Sequence, residues 1–84
     1  SGDRDAPDYF LAYIYRAAIY ERTGRDAEAL GDYDQIVANK KDYWYAYESA
    51  GLCAFRLGRW GVAADRFQKA FPNAKTRYEY ATMA

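Results

Sequence analysis

Two pairs of segments decide how this chain folds. Asp8-Tyr9-Phe10-Leu11-Ala12-Tyr13 is answered by Asp42-Tyr43-Trp44-Tyr45-Ala46-Tyr47, and Arg22-Thr23-Gly24-Arg25 by Arg56-Leu57-Gly58-Arg59. Both pairs align without gaps at a single shift of 34 positions, the distance from Gly24 to Gly58. The same shift sets Ala29 against Ala63 and Tyr33 against Phe67. Small, aromatic and glycine positions recurring in one register mark an internal repeat, in which each copy is one supersecondary unit.

Within each copy the apolar residues fall three and four apart: Phe10, Tyr13, Ala17 and Tyr20, then Trp44, Tyr47, Ala50 and Ala54. That spacing is helical. Gly24 and Gly58 follow about four turns of it, where a residue tolerating positive φ ends a helix and lets the chain reverse. A second helix follows each glycine, through Ala29, Leu30, Tyr33, Ile36 and Val37, and through Val62, Ala63, Phe67, Ala70 and Phe71. Pro72 stops the last of these, because it lacks a backbone donor and disfavours helix in the residue before it. The pattern predicts helices over 8 to 23, 26 to 39, 42 to 57, 60 to 71 and 75 to 84. Residues 1 to 7 read as a tag remnant or flexible N-terminus, 8 to 41 and 42 to 75 as two full units, and 76 to 84 as a partial third unit or capping helix.

Composition narrows the function. The 84 residues support one small domain, and 51% apolar with 19% aromatic residues is enough to fold it. Twelve basic and twelve acidic residues cancel, which argues against the positive field that nucleic-acid binding needs. The charge is nevertheless divided: residues 1 to 42 carry nine acids and six bases, residues 43 to 84 three acids and six bases. Cys53 is the sole cysteine and there is no histidine, so neither an intramolecular disulfide nor a cysteine–histidine metal cluster is expected. No apolar run is long enough to span a membrane and no targeting signal is visible, so the compartment stays open. Without histidine, a phosphate-binding glycine motif or a nucleophile pair, catalysis is not expected, and no cofactor is called for.

A unit of 34 residues built as two helices resembles the tetratricopeptide repeat. Tyr13, Ala17 and Tyr20 fall at its large, small and tyrosine stations, with Ala29 and Tyr33 on the second helix. In the second unit the stations hold Tyr47, Gly51, Ala54, Ala63, Phe67 and Ala70. Arg16 stands where leucine is usual, Ile36 replaces a small residue, and no proline follows the first unit. The resemblance implies an all-α fold: a right-handed superhelical stack of antiparallel helix pairs, an α-α solenoid of about five helices. It implies that first helices line a concave face, with groove stations at Leu11, Ile14, Tyr15, Ala18 and Arg22, and at Tyr45, Glu48, Ser49, Leu52, Phe55 and Arg56.

Family members that hold a terminal carboxylate do so with basic and amide groups at these stations, which here are mainly apolar and aromatic. The expected partner is therefore another protein or peptide offering hydrophobic anchors, with Glu21, Arg22, Glu48 and Arg56 orienting it from the rim. The alternative is structural: self-association, or head-to-tail stacking in a larger repeat protein or homo-oligomer, the acidic half meeting the basic half. Packing between helices accounts for many of these aromatics in either case. Cys53 reads as a small buried hydrophobe. The arginines beside Gly24 and Gly58 suit the negative end of a helix dipole.

Overall fold

The computed structural model of the protein describes residues 7 to 72, and they are all-helical with no strand. Four helices follow one another: α1 (Pro7–Arg22), α2 (Asp26–Asn39), α3 (Trp44–Arg56) and α4 (Trp60–Ala70). The predicted fifth helix, the third-unit reading and the N-terminal segment 1 to 6 lie outside the described residues. Helix boundaries agree with the periodicity to within two residues. The widest difference is the start of α3, which the turn through Lys40, Lys41 and Asp42 delays to Trp44.

The two glycine turns are built alike. Gly24 and Gly58 have φ of 77° and 76°, the left-handed region that a Cβ penalises. In the first turn Arg25 N–H donates to the Tyr20 carbonyl at 2.7 Å and Gly24 N–H to Glu21 at 3.1 Å. In the second, Arg59 donates to Ala54 at 2.8 Å and Gly58 to Phe55 at 3.0 Å. This crossed pair of bonds satisfies the carbonyls a helix leaves open at its end. Arg25 also covers the Tyr20 ring, 5.1 Å from its centroid. The α2–α3 turn contains no positive-φ residue, and Lys40 N–H closes α2 on the Ile36 carbonyl at 2.8 Å.

Each helix packs on the next in sequence. Within a unit the pairing is antiparallel: Arg16 meets Asp32, each eight residues from Gly24, and Gly51 faces Phe67 across Gly58. The core joins both units through Ala17, Ala29, Tyr33, Ala46, Ala50, Cys53, Ala54 and Ala63, all buried. Alanines on facing helices let the axes approach, and Tyr33, fully buried, fills the space between them. Arg16, the departure at a leucine station, has a structural partner. Its guanidinium forms two hydrogen bonds to Asp32, 2.8 and 2.7 Å long, and lies over the Tyr13 and Tyr20 rings. A charged fork thus replaces an aliphatic contact.

Candidate functional site

The exposed side of α1 carries an apolar stripe with a four-residue step. Leu11, Tyr15 and Ile19 all stand in solvent, because on a helix positions i, i+4 and i+8 share a face. Across from them α3 presents Tyr45, and between the two helices lies an open cleft of about 900 Å³. Tyr15, Ala18, Ile19 and Tyr45 form its apolar wall, and Glu21, Arg22 and Arg56 its charged end.

Five of the predicted groove residues, Tyr15, Ala18, Arg22, Tyr45 and Arg56, therefore meet in one place. Leu11 continues the stripe beyond the cleft. Leu52 and Phe55 are exposed and are not among the residues that line the cleft, Glu48 and Ile14 are half-buried, and Ser49 is buried. Ile19 lines the cleft without having been assigned a groove station, and Glu21, expected at the rim, lies at its charged end. Ile19 was detectable as the next step after Leu11 and Tyr15. The pairing of Glu21 with Arg56 required knowledge of how α3 lies on α1.

That contact is electrostatic. The Arg56 guanidinium binds Glu21 on α1 and also Asp26 at the start of α2, with Nε donating to Asp26 Oδ1 at 3.0 Å. The other oxygen of Glu21 accepts the phenol of Tyr33 at 2.7 Å. Burial, reinforced by this bond to a carboxylate, pushes the Tyr33 phenol well above its ordinary pKa. On the outer side Arg66 of α4 grips Asp34 of α2 through two hydrogen bonds of 2.9 and 3.0 Å. The acidic half and the basic half thus meet inside the chain: three carboxylates of the first unit are held by two arginines of the second. Arg22, at the station matching Arg56, has no ion-pair partner among the described residues.

Glu21, Asp26 and Cys53 bring donor atoms within 4.8 Å of one another, a spacing a metal ion could accept. Arg56 already fills the charge position: its guanidinium binds both carboxylates and donates to Cys53 Sγ at 3.5 Å. Burial pushes the Cys53 thiol up to about 12, so it stays protonated and is a poor metal ligand or nucleophile at neutral pH. The donor set fits an arginine better than a metal ion. No helix among the described residues is long and apolar enough to cross a membrane.

No family model matches the chain, and no solved structure matches it. It is similar to a curated protein of Mus musculus, DnaJ homolog subfamily C member 3, at 29% identity over 73 residues, which is 87% of this chain. The Rattus norvegicus protein of the same name matches equally, at 29% over 73 residues. The chain spans only 14% of the length of either relative.

Proposed function

We propose that the chain is a tetratricopeptide-type module that binds a segment of another polypeptide in the cleft between α1 and α3. The observation that carries the reading is the run of large apolar side chains left in water on the first helices. Leu11, Tyr15, Ile19 and Tyr45 line or adjoin one concavity, where exposed apolar surface marks an interaction site. The 34-residue repeat, its two helix pairs and the likeness to a DnaJ homolog over most of the chain support the same reading.

The aromatic wall supplies affinity, while the rim charges orient the ligand. Arg56 is committed to Glu21 and Asp26 and so fixes the shape of the cleft floor. Arg22 is the cation left to meet a ligand carboxylate. The partner is thus a peptide with one or two apolar anchors. Peptides selected from a displayed random library against the folded chain test this: Tyr15→Ala and Tyr45→Ala should each weaken binding about tenfold or more, as central aromatic anchors do, with an unchanged melting temperature. Selected peptides indifferent to both substitutions would remove the cleft from consideration.

A further inference from the structure

The buried residues of α3 are Ala46, Ser49, Ala50, Gly51, Cys53 and Ala54, none larger than cysteine. Small groups let the second unit lie close on the first, but the shallow ridges they form define its rotation weakly. Contacts with direction sit towards the two ends of α1. Near its start Phe10 meets Tyr43 edge-on, with ring centroids 4.8 Å apart and an interplanar angle of 71°. Eleven residues later, about 16 Å along the helix, Glu21 meets the Arg56 guanidinium. Glu21 is itself held, because the Tyr33 phenol donates to its other oxygen at 2.7 Å and so aims the carboxylate from α2. Arg56 also sends Nε to Asp26 Oδ1 at 3.0 Å. One arginine of the second unit thereby ties both helices of the first, at the charged end of the cleft that Glu21 and Arg56 line. A second ionic tie, Arg66 on Asp34, joins α4 to α2 on the outer side, and neither residue lines the cleft.

We infer that Arg56, Glu21 and Asp26 form an ionic clasp that sets the width of the cleft, with the Phe10–Tyr43 contact as its pivot. The two ends respond differently to the solution. Rings in contact hold at any ionic strength, whereas a partly exposed ion pair weakens as salt screens it. When the clasp lets go, α3 turns about the aromatic end and the charged end opens, taking Arg56 away from Arg22. With the guanidinium seated the cleft is narrow, and with it released the cleft is wide. Arg66 cannot substitute for the clasp, because it holds the outer side of the seam and leaves the inner side free to open. The consequence for a bound peptide rests on the reading of the cleft as a peptide site. The opening itself does not.

Pairs of spin labels on introduced cysteines, in the intact chain carrying Cys53→Ala, read the opening without any ligand, so a cleft that binds no peptide is not mistaken for a clasp that fails. Ala27→Cys with Leu57→Cys spans the clasp, and Ala12→Cys with Lys41→Cys spans the pivot; all four native residues are exposed. Arg56→Met should lengthen and broaden the first distance and leave the second unchanged. Sodium chloride at about 1 M, where screening reaches to about 3 Å, should do the same to the chain that keeps Arg56, and should add nothing to the Arg56→Met chain. The salt arm needs no substitution in the seam and decides the matter if Arg56→Met does not fold. Arg66→Met removes an ion pair between the units but not the clasp, and should leave the first distance as it was. A first distance indifferent to Arg56→Met and to salt overturns the proposal, because packing alone then sets the cleft. Equal lengthening by Arg66→Met overturns it too, because the ion pairs then only tighten the fold.

Discussion

The first unit meets its neighbour with three carboxylates, and the second offers aromatic rings at two of the same stations. Glu21, Asp26 and Asp34 are paired with Arg56 and Arg66, whereas Phe55, Trp60 and Gln68 occupy the matching places in the second unit. The inner packing differs in the opposite sense. The first unit sets Ala17 and Tyr33 where the second sets Gly51 and Phe67, and Tyr33 is fully buried while Phe67 is half-buried. One repeated backbone thus serves as a polar, closed junction at one seam and an apolar, open face at the next. The repeat fixes helix placement, and the side chains at four or five stations decide what each face binds.

The largest way to break this comparison is to remove the two ring-bearing residues in turn. Tyr33→Ala deletes a side chain with no exposed surface and also frees Glu21 from its phenol, so it should cost about 3 to 5 kcal/mol. Phe67→Ala should cost clearly less, because that ring already reaches solvent. Urea denaturation of both variants checks the order. Equal losses would mean that the two cores are equally tight.

Glycines give a contrast of sign. A Cβ on Gly51 would stand 2.7 Å from two ring carbons of Phe67, whereas one on Gly31 in α2 meets nothing within 4 Å. Overpacking costs about 1 to 3 kcal/mol, against a gain of at most about 1 kcal/mol from replacing a helical glycine. Gly51→Ala should therefore lower the melting temperature, and Gly31→Ala should raise it. Adding Phe67→Leu to Gly51→Ala should recover part of the loss. A stabilising Gly51→Ala would show that the ring swings aside at no cost.

The charged seam is a smaller contribution. Arg56→Met leaves Glu21 and Asp26 without their shared cation. Because 42% of the arginine side chain is exposed, solvent screens much of the effect. The loss should be about 1 kcal/mol and should shrink in high salt. Placing acids at the matching stations of the second unit, as Phe55→Glu with Trp60→Asp, should leave stability nearly unchanged, because both rings are exposed.

Much of this fold was legible from residue spacing. Gly24 and Gly58 announced both hairpins, and the small residues Ala17, Gly51, Ala29 and Ala63 announced close-packed helices. The division of charge between the halves was visible too, although not its resolution within the chain. Asp32 and Asp34 look alike on a helix, yet one turns to Arg16 in its own unit and the other to Arg66 in the next. That choice depends on the rotation of one helix pair on another, to which a linear pattern is blind. Nor does it say where the cleft ends: Leu52 and Phe55 stand in solvent on α3 but are not among the residues that line it.

The smallest expected effect tests a single station in two settings. Cys53 is fully buried between the units, and its counterpart Ile19 is largely exposed on α1. Burial raises the Cys53 thiol from an ordinary value of 9.0 to about 12. The folded state therefore keeps its proton after the unfolded chain has lost it. The stability this contributes is fully present below pH 9 and is lost progressively as the pH rises from 9 towards 12, because there the folded state binds more protons than the unfolded one. Cys53→Ala should flatten the decline in stability between pH 9 and 10, the part of the window below the ordinary phenol range. A thiol reagent at pH 8 should modify native Cys53 only as fast as the chain opens. An Ile19→Cys variant made in the Cys53→Ala background should react at nearly the rate of a free thiol. Equal rates at the two positions would mean that the seam between the units opens readily, and that the junction shields Cys53 no better than solvent-exposed α1 shields position 19.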